Sequence, residues 1–177
     1  MALTLNGSNN TIAGVAVGGL PDGIVDTDML AANAVTAPKR GPGAILQVIQ
    51  VVKTDTQSIT STGFPGTTTS IASLEPAITP SSSSNKILLS WSVNVSGGTN
   101  SHVGNILTRT ISGSATTLSP IGDASSNRSR STQANYGGND SIDVYNHNIF
   151  AGSYLDSPST TSAITYKIRF RTNDTTI

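Results

Sequence analysis

Residues 86–96 read KILLSWSVNVS, and the alternation within them leaves the chain little choice of fold. Ile87, Leu89, Trp91, Val93 and Val95 share one parity, while Leu88, Ser90, Ser92, Asn94 and Ser96 hold the other. Side chains of a strand point to opposite faces in turn, so this run is a β-strand with a core side and a water side. Residues 163–173, AITYKIRFRTN, repeat the pattern, with Ile164, Tyr166, Ile168 and Phe170 inward and Thr165, Lys167, Arg169 and Arg171 outward. A helix would scatter both sets around its axis.

Further strands are expected at residues 56–62, 67–74, 102–112, 115–119 and 141–151. They are separated by breakers: Pro65-Gly66, Pro80 with the serines after it, Gly97-Gly98, Gly137-Gly138 and Ser157-Pro158. Short strands punctuated in this way predict an all-β fold, an antiparallel β-sandwich or jelly roll. Residues 44–54, AILQVIQVVKT, are apolar on both parities, with Ile45, Ile49 and Val51 on one and Leu46, Val48 and Val52 on the other. A strand apolar on both faces is central in a sandwich or covered by a neighbouring subunit. Ile45, Ile49 and Val51 are therefore expected at a subunit contact. Residues 122–139 hold almost no apolar side chain and are expected to form a long surface loop.

The chain before residue 43 is of another kind. Residues 1–19 set small apolar residues between Gly and Asn, a composition for an extended arm laid along another surface. Pro21-Asp22-Gly23 signals a turn, and Asp26-Thr27-Asp28 suits the cap of a short helix from Met29 to Val35. Pro38 and Pro42 bracket a linker. Nothing here builds a core. The expected division is an anchoring arm and linker over residues 1–42, docking through Leu20, Ile24, Val25, Met29, Leu30 and Val35, and a β domain over residues 43–177.

The 177 residues suit one domain with an appendage. Ten basic residues balance ten acidic ones, so no net field draws the chain to nucleic acid or to an anionic membrane. The same balance gives little colloidal protection, and copies of such a chain tend to associate. Absence of cysteine excludes disulfides, thiolate metal sites and thiol nucleophiles. No apolar run approaches the roughly 20 residues of a membrane helix. The N-terminus lacks the basic and long apolar regions of a signal peptide.

Candidate chemistry is sparse. His102 and His147 show no spacing that marks a metal site or a catalytic base. Asp140, Asp143 and Asp156 offer carboxylates for a glycosidase pair or a Ca²⁺ site, but solvated loop acids are the simpler reading. No Gly-rich phosphate loop and no G-x-S-x-G elbow is present. Trp91, on an inward parity, reads as core. Tyr136, Tyr145 and Tyr154 are the candidates for glycan contact, and Arg128 and Arg130 read as a solvated pair. No catalytic, cofactor or metal site is expected, and the chain reads as a non-enzyme.

Three segments also carry a resemblance. LPDGIVDTDMLAANAVTAPK, then AILQVIQVVKTDTQSITST with AITPSSSSNKILLSWSV, and finally YLDSPSTTSAITYKIRFRT are similar to segments of small virion structural proteins of tailed phages, notably phages of marine and cyanobacterial hosts. The first is matched loosely, by Asp28, Leu30 or Ala31, Asn33, Ala34, Val35 and Thr36, with the leucine displaced from its usual spacing. Residues 97–150 are unmatched. The resemblance implies a fibre, spike or capsid-decoration component, commonly trimeric, without catalytic residues or cofactor. It implies an arm that docks on phage capsid or tail proteins and a β head. The short chain and the lack of a repeated stalk favour a head fibre or capsid cement protein on the virion over a tail location. The alternative is a tail-fibre or receptor-binding module that recognises a host surface glycan.

Overall fold

The computed structural model of the chain describes residues 4–6, 11–13, 35, 39–41, 43–59, 68–96, 102–118, 120–126, 130–136 and 147–172. Regular structure among them is β, and every strand pair is antiparallel. The chain falls into two compact units, residues 1–46 and 47–177.

In the first unit β1 (Thr4–Asn6) pairs with β2 (Thr11–Ala13), Leu5 opposite Ile12. The expected helix lies outside the described residues, as do Leu20, Ile24, Val25, Met29 and Leu30; Val35 is described and exposed. Beyond it the backbone turns at Gly43 (φ 82°), where Ala44 N donates to Gly41 O at 3.2 Å. The Arg40 guanidinium then donates to the carbonyls of Ile45 and Leu46 at 3.5 and 3.4 Å. Ile45 and Leu46 keep their side chains in solvent.

The second unit holds two sheets. Strands β3 (Thr69–Ser70), β4 (Ala77–Ile78), β6 (His102–Ile111), β7 (Ser114–Thr117), β8 (Gln133–Tyr136) and β10 (Ile164–Thr172) form a six-stranded sheet. The long strands β6 and β10 are its spine, in register from Ile111 opposite Ile164 to Val103 opposite Thr172. Short strands share the flanks: β3 and β4 lie end to end along β10, and β7 and β8 along β6. Strands β5 (Ile87–Ser96) and β9 (His147–Asp156) form a separate two-stranded sheet, with Leu89 opposite Tyr154 and Trp91 opposite Gly152. The turn from β6 to β7 places Ser112 at φ 48° and Gly113 at φ 83°. Two left-handed residues in a two-residue turn match the twist of the strands they join.

The alternation read from the sequence sets the burial. Ile164, Tyr166, Ile168 and Phe170 of β10 are buried with Leu107 and Val103 of β6 and Ile87 and Phe150 of the other sheet. Phe150 and Phe170 meet edge to face, with ring centroids 5.4 Å apart and planes at 89°. Leu89, Trp91, Val93 and Val95 line the same side of β5, half-buried against this core.

Four expectations are corrected. Residues 44–54 form no strand, because no segment among the described residues pairs with them. Residues 56–59 are likewise unpaired, and the strand expected at 67–74 shrinks to β3. The expected loop 122–139 contains β8, a polar edge strand with no apolar alternation to announce it. Of the strand expected at 141–151, residues 147–151 open β9, which runs on to Asp156, and residues 141–146 lie outside the described ones.

Gly152 explains how Trp91 fits beneath its neighbour. A Cβ at Gly152 would stand 2.8 Å from Trp91 Cζ2, closer than carbon atoms pack. Gly152→Val is expected to lower the urea midpoint by the equivalent of about 1–3 kcal/mol, the usual cost of overpacking.

Candidate functional site

Two polar clips join the sheets and frame what lies between them. The first is built on inward positions of three strands. Arg109 of β6 and Tyr166 of β10 are cross-strand partners, and both reach Asp156, the last residue of β9. Arg109 Nη1 donates to Asp156 Oδ1 at 2.7 Å and Oδ2 at 2.9 Å, and the Tyr166 hydroxyl donates to Oδ2 at 2.7 Å. Asp156 is buried, so the carboxylate depends on these donors in place of water. Burial first, and then the hydrogen bond to Asp156, push the Tyr166 phenol well above its ordinary value, so it remains a donor through alkaline pH.

The second clip centres on Gln133 at the start of β8. Its Oε1 accepts from Trp91 Nε1 and from Asn105 Nδ2, both at 3.3 Å, and its Nε2 donates to Ala151 O at 2.7 Å. Asn105, fully buried on β6, accepts from Gln133 N at 2.9 Å through its side chain. One amide thus ties β5 and β9 to β6.

Beside these clips runs a groove of about 970 Å³. Its floor is the inward face of both sheets, including Leu89, Trp91, Val93, Leu107, Ile168 and Phe170. One wall is β5, whose other side pairs with β9. The unpaired strap of residues 49–59 lines it as well. The strap is fixed at its far end, where Ile59 enters the core and Gln57 Oε1 accepts from Ala72 N at 2.8 Å. Val51 and Lys53 lean towards the domain, while Val48 and Val52 are 77% and 68% exposed. Lys53 Nζ bonds both oxygens of Asp55 at 2.9 Å and holds that carboxyl below its ordinary range.

The residues singled out from the sequence scatter. Ile45 and Ile49 are exposed and Val51 is half-buried, with Ile49 and Val51 lining the groove. Tyr154 packs against the core, because its place opposite Leu89 turns it inward. Tyr136 ends β8, and Tyr145 lies outside the described residues. His102 and His147 begin strands of different sheets. Asp140, Asp143 and Arg128 lie outside the described residues; Arg130 Nε donates to Gly122 O at 2.8 Å. Among the described residues no group of three His, Asp or Glu side chains is placed to hold a metal ion, and no helix is long and apolar enough to cross a membrane.

From the sequence Asp156 reads as a solvated loop acid, and Arg109 and Gln133 stand in no motif. Their signal was weak but present: Asp156 falls on the parity of Phe150 and Tyr154, and Arg109 on that of Leu107. A charge on an inward parity needs a partner of opposite sign on the facing sheet. Comparison with family models, with curated proteins and with solved structures yields no match.

Asp156→Ala strands Arg109 in a half-buried site and is expected to cost about 3–5 kcal/mol in urea unfolding. Tyr166→Phe tests the same clip by pH. The folded phenol holds its proton more tightly than the unfolded one, whose pKa is about 10. Stability from this group is therefore complete below about pH 10 and declines above it. The wild type should lose melting temperature above that pH, and Tyr166→Phe, less stable at neutrality, should decline less steeply.

Proposed function

We propose that this chain is a non-enzymatic virion structural protein of a tailed phage, a trimeric head-fibre or capsid cement protein. In this reading residues 1–42 anchor it to a capsid or tail protein, with the capsid surface favoured. Residues 43–177 form an antiparallel β-sandwich or jelly-roll-like head. The observation that carries the reading is the run of residues 44–52, apolar and uncharged, left largely in solvent with no strand beside it among the described residues. Monomeric soluble proteins seldom keep such a surface, whereas assembly proteins complete theirs on a neighbour. The near-zero net charge and the separate N-terminal unit support it, as does the resemblance of three segments to small phage virion proteins. Binding through an arm gains strength from oligomerisation, because several arms engage one particle together.

Recognition of a host glycan by a tail fibre has less support. Of the tyrosines proposed for it, Tyr154 packs against the core.

Localisation on intact particles by cryo-electron microscopy or gold-labelled antibody tests the reading. Label over the capsid is expected. Label confined to the tail would favour the receptor-binding alternative, and absence from particles would end the proposal. Removing residues 1–40 should leave a folded β domain that no longer joins particles; normal incorporation would overturn the anchor assignment.

A further inference from the structure

The strap and the groove are two halves of one contact. From Gly41 to Val52 the sequence carries no charge, and residues 47–52 form neither helix nor turn, with Val48 and Val52 exposed to solvent. At about 3.3 Å per extended residue, the seven residues 47–53 nearly match the eight of β5, Leu89 to Ser96, that line the groove. On β5 the edge away from β9 has no strand beside it among the described residues, and it borders a groove floored by Leu89, Trp91, Val93 and Ile168. Each chain thus presents one unpaired apolar segment and one unpaired strand edge over an apolar floor.

We infer that residues 47–53 of one copy lie in the groove of a second copy, alongside the open edge of its β5. The inference rests on the oligomeric part of the proposed function and does not depend on what the arm binds. Three features favour a copy of this chain over a foreign partner. The segment and the slot agree in length and apolar character. Neither carries an uncompensated charge that would repel its twin: Lys53, at the end of the segment, is paired with Asp55, and Lys167, in the groove, with Glu75. The contact is also head to tail, so where its rotation closes a ring every strap and every β5 edge is covered. Backbone hydrogen bonds along the edge would fix register, and Val48 and Val52 would fill the floor, as in other cases of strand addition.

Light scattering on the full chain, with Val48→Glu and Val52→Glu combined, tests this. Both positions face water in the single chain, so the double variant should keep the wild-type far-UV circular dichroism. The wild type is expected as a closed oligomer of one size, and the variant as a monomer of 18.1 kDa. A monomeric wild type, an open-ended range of sizes, or a variant that stays oligomeric would overturn the inference. None of these outcomes touches the anchoring of the arm to a particle, which the localisation experiment reads separately. Amide hydrogen exchange gives the location. Residues 47–53 and β5 should exchange at least ten-fold more slowly in the wild-type oligomer than in the variant. Equal rates at the strap would place the contact elsewhere and overturn the assignment.

Discussion

Asp156 sits at the end of a strand in a sheet of only two, and two donors on the other sheet satisfy its carboxylate. The rest of the second unit depends on this contact. A two-stranded ribbon is at best marginal in water and must be held against something larger. Apolar contact alone, such as Phe150 against Phe170, favours closeness but tolerates sliding. The ion pair does not: Arg109 and Asp156 meet in one alignment of the sheets, and a slip of one residue would bury both charges without partners. The net gain of such a pair over apolar residues is small, since desolvation opposes it. Its effect is to make the wrong alignments costly.

Gln133 does the same work without charge near the middle of β9. It bonds the β9 backbone at Ala151, and Asp156 is five residues further along, so the two clips are roughly 17 Å apart. Fixing a narrow sheet at two separated points leaves it one position over the broad one. It also leaves the broad sheet partly uncovered. Six strands present more inward surface than two can cover, and the groove is the remainder. The strap borders this remainder without filling it, because Gln57 and Ile59 hold it only at one end.

Strands β5 and β10 were legible because their alternation is nearly unbroken. Ile87–Ser96 and Ile164–Thr172 lie within a residue of where the pattern put them. Strand β8 was illegible for a physical reason. Its residues satisfy polar partners, Asn105 and Trp91 among them, so they carry no apolar period. The strap misled in the opposite sense. Its β-branched, apolar residues have every preference for a strand, but a strand requires a neighbour, and no local preference supplies one. The clips escaped notice because a charged residue in one strand says nothing of the strand facing it. Tyr154 is a candidate for glycan contact by residue type alone, whereas its parity with Phe150 and Asp156 turns it inward.

The interactions inside the chain and those left open at its surface differ in kind. Within the second unit, specificity comes from polar groups between the sheets: a carboxylate with two donors and an amide with three bonds. The strap offers no charge and no polar side chain but glutamine between Gly41 and Val52. Selectivity for such a segment must come from the backbone, from the spacing of its aliphatic side chains and from the shape of the slot. Those features recognise a strand in one register, but they distinguish poorly between similar apolar strands. A surface of this kind is safe only where its complement is always close by. The surest source of that complement is another copy of the same chain, produced alongside it and carrying the slot in equal number.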